Sequence, residues 1–179
     1  MVKKIITTLT LSSDDGNELS FPLSFNQING IVTEAVDSEE NASLFEALAE
    51  HPSGWVRENI ASKESINEKT VQILLRDGSM NVIRCLHHNK PFKKYVEHEQ
   101  ILNFIERDVE IAAAVADEYE HYQNLDQDSL LEILLQHSDP RVPYAVAHNW
   151  RTKKQVLKKL VKHDDAAVAS EAKRRLEDD

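Results

Sequence analysis

Residues 138–149 have the sequence SDPRVPYAVAHN, one copy of a pattern that recurs along most of the chain. Val142 and Val146 lie four residues apart, so they share one face of a helix. Asp139, three residues before Val142, is a residue type that often caps a helix N-terminus, and Pro140 suits the first helical position. The stretch therefore predicts a helix that begins after Asp139 and buries its two valines.

Four further stretches align with this one at intervals of 26 to 31 residues. The aligned position is always aliphatic: Val56, Val82, Ile111, Val142 and Val168. The position four residues later is also apolar: Ile60, Leu86, Val115, Val146 and Ala172. The position three residues earlier always holds a capping type: Ser53, Ser79, Asp108, Asp139 and Asp165. A shorter apolar-periodic helix precedes each copy, and repeats of this size bury their apolar faces only against neighbours. The pattern predicts a mainly α fold, an α-solenoid of about five two-helix repeats.

The first 25 residues follow a different pattern, in which apolar and polar residues alternate on both sides of Asp15-Gly16. The first run starts at Ile5, and the second ends at Phe25. This period of two predicts a β-hairpin with one apolar face, followed by a short helix over residues 26–36. Because a lone hairpin is marginal in water, we expect its apolar face to cover the open end of the helical stack. The predicted domains are residues 1–40, which cap the stack, and residues 41–179, the repeats.

Residues 51–61, HPSGWVRENIA, and residues 138–149 resemble the core of leucine-rich-repeat-variant (LRV) and HEAT-like repeats. Asn89 and Asn149 match the asparagine that ends the helix in such units. The resemblance covers about three quarters of the chain and implies an α-solenoid. It implies almost nothing about function, because these solenoids serve many unrelated roles. The chain departs from the pattern in two ways. The arginine that follows the valine of each unit is present only in the first repeat, as Arg57, and the third and fifth repeats lack the terminal asparagine.

The composition bounds the classes of function. The 179 residues carry 21 basic and 31 acidic side chains, a net charge of −10, and only residues 151–179 have a basic excess. Nucleic acid is therefore a poor partner, since its binders present a large basic face. No run approaches the roughly 20 apolar residues that span a bilayer. With a single cysteine, Cys85, and no secretion signal, the expected location is cytoplasmic.

Candidate chemical groups have simple structural interpretations. His51, His137 and His163 share one repeat position, and we interpret them as helix-terminating residues whose partial positive charge complements the helix dipole. Repeats about 10 Å apart hold them too far from one another to share a zinc ion. The pair His87-His88 lacks a second ligand cluster, and no phosphate loop or nucleophile motif is present. The sequence predicts no catalytic residue, no cofactor and no metal site.

Two surfaces are candidates for partner binding. Residues 97–128 carry ten carboxylates against one arginine and include two tyrosines, a composition that suits a basic partner or, alternatively, only a solvated face. The outward side of the second helix of each repeat offers aromatic, arginine and histidine side chains, which often dominate binding energy. The predicted partner-binding residues are Trp55, Arg84, His88, Asp117, Glu118, Tyr119, Glu120, Tyr122, Arg141, Tyr144 and His148.

The expected function is a non-catalytic protein–protein interaction module that binds a partner on the concave face of the second helices and on the acidic third repeat. A more specific version is an inhibitor or immunity-type protein that masks a basic enzyme. The alternative is a HEAT-like solenoid enzyme or nucleic-acid-processing protein. Self-association through the edge of the N-terminal hairpin is a further hypothesis.

Overall fold

The computed structural model describes residues 7–122 and 124–178, which are mainly helical with a small two-stranded antiparallel hairpin. The strands are β1 (Thr8–Ser12) and β2 (Glu18–Pro22). The helices are α1 (Phe25–Glu34), α2 (Ala42–Ala49), α3 (Gly54–Ala61), α4 (Glu68–Leu74), α5 (Met80–His87), α6 (Lys90–Tyr95), α7 (His98–Arg107), α8 (Val109–Asp117), α9 (Gln127–Leu135), α10 (Arg141–His148), α11 (Lys154–Leu160) and α12 (Ala166–Asp178). Two single 3₁₀ turns, Glu39–Asn41 and Tyr119–His121, complete the description.

The chain divides into two compact units, with the boundary between Pro91 and Phe92. In the first unit, α2 packs against α3 and α4, and α3 packs against α1 and α5. In the second unit, α8 packs against α7 and α10, and α12 packs against α10 and α11. Within each unit, consecutive second helices therefore lie beside one another. The change in pattern at residue 40 falls inside the first unit.

The hairpin forms where the sequence predicts it, with a turn in which Gly16 takes a φ of +84°. Leu9 pairs with Phe21 and Leu11 with Leu19, so the four apolar side chains share one face. These side chains are 42% to 63% exposed. The expectation that this face covers the helices is therefore wrong, because an apolar face packed against helices would be buried. Ile5, where the predicted first strand starts, lies outside the described residues.

The two aliphatic columns of the repeat are the core of the helical units. All ten side chains, Val56, Ile60, Val82, Leu86, Ile111, Val115, Val142, Val146, Val168 and Ala172, have no exposed surface. Burial of one such aliphatic side chain stabilises the fold by about 1.5–3 kcal/mol. The predicted helix faces are confirmed.

The column of capping residues is confirmed in part. The carboxylates of Asp108 and Asp165 each accept hydrogen bonds from two backbone N–H groups of the following helix. Asp139 accepts one, from Arg141. Ser53 and Ser79 occupy the N-cap with extended backbone, but their hydroxyls make no capping hydrogen bond. The prediction is wrong for these two hydroxyls and right for the start of their helices.

The histidine column has a different role from the one the sequence suggested. In His51, His137 and His163, Nδ1 accepts a hydrogen bond from the backbone N–H two residues later, at 3.1, 3.1 and 3.0 Å. A nitrogen that accepts is unprotonated, so a positive charge facing the helix dipole is not the explanation. Burial, with the nearby Arg57 guanidinium, lowers the pKa of His51 and favours this neutral form.

Polar side chains that follow one helix donate hydrogen bonds to the C-terminal end of an earlier helix in the same unit. Asn89 Nδ2 donates to the carbonyl oxygens of Ala61 and Lys63, the latter at 2.9 Å. Lys63 Nζ in turn donates to Ala35 O at the end of α1, at 2.9 Å. The last carbonyls of a helix lack partners within the helix, so these donors satisfy them and fix the spacing of neighbouring helices.

Replacing Asn89 by alanine should therefore destabilise the first unit. The change leaves two carbonyl oxygens at the end of α3 without their donor, which costs about 1–3 kcal/mol. Urea denaturation followed by circular dichroism measures the loss. Asn103→Ala is the control, since Asn103 is exposed on α7 and its side chain accepts a hydrogen bond from Arg107 rather than from a helix end. Equal urea midpoints for the two variants would contradict the role of Asn89.

Candidate binding groove

The second helices of the C-terminal unit end around a groove with a volume of about 700 Å³. The end of α8 and the turn after it contribute Asp117, Glu118, Glu120 and His121. The end of α10 and the turn after it contribute His148, Asn149, Trp150 and Arg151. Arg174, Arg175 and Asp178 line the groove from α12. The groove therefore lies where the sequence places the outward positions of the last three second helices.

The turn after α10 is held by hydrogen bonds at each of its residues. Asn149 N–H donates to Ala145 O, and Asn149 Oδ1 accepts from Arg151 N–H at 3.0 Å. Thr152 N–H donates to Asn149 O, and its buried hydroxyl donates to Val146 O at 2.6 Å. Because the backbone is tied on both sides of Trp150, the turn presents that side chain from a defined position.

Trp150 is the most exposed large hydrophobic side chain of the described residues, at 75%. The Arg151 guanidinium carbon lies 4.7 Å from the centroid of its ring, a cation–π arrangement. Arg151 Nη1 also donates to His121 Nε2 at 2.7 Å and lies 3.5 Å from Glu120 Oε1. Arg151 is therefore held in place and orders the indole, leaving most of the indole surface in water.

Arg175 fixes the same turn from below the surface. It is 8% exposed, and its guanidinium donates to His148 O at 2.7 Å and to Trp150 O at 3.0 Å. These oxygens lie at the C-terminal end of α10, where the helix dipole also favours a cation. Arg175 thus does for α10 what Asn89 does for α3.

Glu171 joins α12 to α10 beside the groove. Its carboxylate accepts from Arg174 Nε at 2.9 Å and Nη2 at 2.6 Å, and lies 2.9 Å from His148 Nδ1. The Arg174 guanidinium, followed by His148, lowers the pKa of Glu171 to about 2. The His148 ring also stacks on Tyr144, with centroids 6.1 Å apart and an angle of 9° between the rings.

Two of the carboxylates that the acidic segment places in the groove are paired with neighbouring cations. Glu118 Oε2 lies 2.7 Å from Lys93 Nζ. Glu120 accepts from Asn149 Nδ2 at 2.9 Å and pairs with Arg151. In the part of the chain that the structure describes, Asp117 is exposed and has no ion-pair partner. Within the groove, the segment thus leaves Asp117 as its one unpaired carboxylate.

The two tyrosines of this segment are core residues. Tyr119 is 7% exposed and Tyr122 has no exposed surface, with its ring 6.3 Å from that of Phe92. Burial raises the pKa of both phenols, that of Tyr122 well above the usual range. The prediction that Tyr119 and Tyr122 contact a partner is therefore wrong, because no partner can reach them in this fold.

The remaining predicted residues lie elsewhere. Trp55 is 37% exposed in the first unit, where its ring meets Phe25 edge-on. Arg84 and His88 line a small hollow of about 320 Å³ in the same unit. Arg141 lies at the start of α10 and pairs with Asp139 at 2.8 Å, which lowers the pKa of Asp139 to about 2. Of the eleven predicted residues, four line the groove: Asp117, Glu118, Glu120 and His148.

The sequence interpretation missed Trp150 and Arg151. It considered the outward side of each second helix, whereas these two residues lie in the turn that follows one. A tryptophan between asparagine and arginine, just past the predicted helix end, is the signal that could have marked them. His87 of the histidine pair is 4% exposed and belongs to the buried side of α5.

No group of three or more histidine, cysteine or carboxylate side chains within residues 7–122 and 124–178 could hold a metal ion. Over the same residues, each helix is too short or too polar to cross a membrane. Burial raises the pKa of the Cys85 thiol, which disfavours the reactive thiolate.

Comparisons with family models, with curated proteins and with solved structures find no match to this chain. The resemblance of residues 51–61 and 138–149 to LRV and HEAT-like repeats stays a prediction. The groove has to be interpreted from its own residues.

The low pKa of Glu171 predicts how stability depends on pH. An unfolded glutamate takes up its proton near the ordinary value of 4.5, whereas the folded one does so near 2. The contribution of Glu171 is therefore complete above pH 4.5 and is lost as the pH falls toward 2. Glu171→Gln should be less stable than the parent by about 1–2 kcal/mol at neutral pH, and the gap should close in acid.

Urea denaturation at neutral pH and at about pH 3 tests this expectation. Glu177→Gln is the control, since Glu177 is exposed on the same helix. A gap that stays constant between the two pH values would show that the ion pair does not carry the effect.

Proposed function

We propose that this chain is a non-catalytic protein–protein interaction module and that the groove around Trp150 binds its partner. The helix pairs of each unit are, in this proposal, a short α-solenoid, and the ends of its second helices form the binding face. The observation that carries the proposal is a large aromatic side chain, 75% exposed, on a turn held by buried hydrogen bonds.

Exposed tryptophan on a rigid backbone has the properties of a binding hot spot. An aromatic side chain buries about 150–250 Å² when it is covered, so sealing the exposed part of Trp150 contributes about 4 kcal/mol. Because Arg175 and Thr152 already hold the turn, little backbone entropy is lost when a partner binds. The neighbouring Arg151 and His148 add polar contacts around this anchor.

The charges of the groove favour a partner with a basic surface. Asp117 is unpaired within the described residues, and Asp178 is exposed with a single ion pair to Arg174. A cationic side chain of the partner can reach these carboxylates while an apolar one covers the indole. An inhibitor or immunity-type protein that masks a basic enzyme is the more specific form of the proposal.

A nucleic-acid-processing role is the second candidate. The observation that favours it is the series of exposed lysines on and beside α11: Lys153, Lys154, Lys158, Lys159 and Lys162. Binding to duplex DNA at low salt, with a steep loss of affinity as salt rises, would support it. No step of catalysis is proposed, because the groove holds no arranged nucleophile and base.

Replacing Trp150 by alanine should reduce partner recovery at least about tenfold, because the change removes the anchor. The intact chain is immobilised and exposed to native cell extract, and recovered proteins are quantified by mass spectrometry. Val36→Ala is the matched control, since Val36 is an exposed hydrophobic residue of the first unit, at 69%. Asp117→Lys should weaken the binding of the same partner if that partner has a basic surface.

The outcome that overturns the proposal is a set of recovered proteins that Trp150→Ala and Asp117→Lys leave unchanged while both variants keep the parent circular dichroism spectrum. Tyr144→Ala and Trp55→Ala extend the test to residues predicted from the sequence. A partner lost only with Trp55→Ala would place the binding site in the first unit instead.

A further inference from the structure

A second groove, of about 710 Å³, runs between α9 and α11 in the C-terminal unit. It shares no lining residue with the groove around Trp150. It is built from first helices of the repeats rather than second helices. The two grooves are therefore separate candidate sites.

The floor of this groove is aliphatic. Leu131 and Leu135 on α9 and Val156 and Leu160 on α11 line it. In each helix the two residues are four positions apart, so both pairs lie on the side facing the groove. The α9 leucines are half-buried, and the α11 residues are buried. The floor is thus a strip of aliphatic side chains along two neighbouring helices.

The two walls of the groove carry opposite charge. Asp128 and Glu132 line the α9 side, whereas Lys153, Lys159 and Lys162 line the α11 side, with one carboxylate, Asp164, beyond the end of α11. All six side chains belong to exposed residues. Within residues 124–178 none of these three lysines forms an ion pair, and Glu132 accepts only from Gln136, at 3.2 Å. The opposed charges therefore do not neutralise each other across the groove.

We propose that this groove binds an amphipathic α-helix of a partner protein, basic along one edge and acidic along the other. The apolar stripe of the helix lies on the aliphatic floor. Its basic edge faces Asp128 and Glu132, and its acidic edge faces the lysines of α11. An i, i+3, i+7 stripe is what such a groove recognises, and the charged walls set the direction of the helix.

The same charges disfavour other occupants. A nucleic acid or an anionic membrane surface would contact the lysines but would bring its phosphates against Asp128 and Glu132, which repel them. The α9 wall is 9 residues long, which corresponds to about 13 Å of helix. A partner helix of about 14 residues therefore covers the floor with a turn to spare.

Three synthetic helical peptides of about 14 residues test the proposal with the intact chain. All three carry the same leucine stripe. One has lysines along one edge and glutamates along the other, the second has lysines along both edges, and the third has glutamates along both. Fluorescence anisotropy measures their dissociation constants. We expect the mixed peptide to bind at least about tenfold more tightly than either uniform peptide.

Reversing one wall should change this order of preference. In Lys159→Glu/Lys162→Glu the α11 wall keeps only Lys153 as a cation and becomes predominantly acidic. The peptide with lysines on both edges should therefore become the tightest ligand, and the affinity of the mixed peptide should fall about tenfold. Lys90→Glu/Lys173→Glu is the matched control, since it reverses two exposed lysines that do not line the groove. Substitution of exposed charges leaves the fold intact, which circular dichroism verifies.

Several outcomes overturn the proposal. Equal affinity for the three peptides, or an order of preference that the Lys159→Glu/Lys162→Glu variant does not change, excludes recognition by the charged walls. Tight binding of duplex DNA that this variant abolishes, with no peptide binding, identifies a nucleic acid as the occupant. A concentration-dependent dimer in sedimentation that only this variant dissociates identifies a second copy of the chain.

Discussion

The carbonyl oxygens at the C-terminal end of each second helix need donors, because a helix leaves its last carbonyls unpaired. For α3 and α10, a side chain from the next second helix or from just after its end supplies them. Asn89 reaches back 28 residues to Ala61, and Arg175 reaches back 27 residues to His148. Each such bond satisfies an otherwise unpaired buried group and fixes the distance between neighbouring helix ends. Packing of the aliphatic columns alone is non-directional and would not fix that distance.

The groove around Trp150 is a consequence of this constraint. Arg175 takes up the carbonyls at the end of α10, so the chain leaves the helix through the short turn that ends at Thr152. The Trp150 side chain projects into solvent from this turn. Hydrogen bonds that stabilise the fold therefore also orient the residue that we propose binds a partner.

Periodic burial is the part of the structure that the sequence predicts well. Val142 and Val146 repeat at positions that must face a neighbouring helix, and a fixed spacing is enough to identify them. The carboxylate caps Asp108 and Asp165 follow from local chemistry in the same way. The roles of side chains that depend on distant residues cannot be predicted in this way. Whether Glu118 is solvated or paired depends on Lys93, which is 25 positions away in the chain.

The hairpin shows the same limit of prediction from sequence. Alternation of apolar residues predicts the pairing of Leu9 with Phe21, because pairing is local, but it does not predict whether anything covers the apolar face. The structure leaves that face in water.

Net charge is a weak guide to the binding surface of this chain. Of the carboxylates in residues 97–128, Asp108 and Asp126 cap helices, and Glu118 and Glu120 pair with cations of the same unit. A carboxylate that already has its donors offers little further attraction to a partner, because its charge is compensated before the partner arrives. What distinguishes a binding surface here is the presence of exposed apolar area or charged groups that no residue of the same chain already satisfies. The Trp150 indole and the uncompensated walls between α9 and α11 keep such unsatisfied groups, whereas Asp108, Asp126, Glu118 and Glu120 do not.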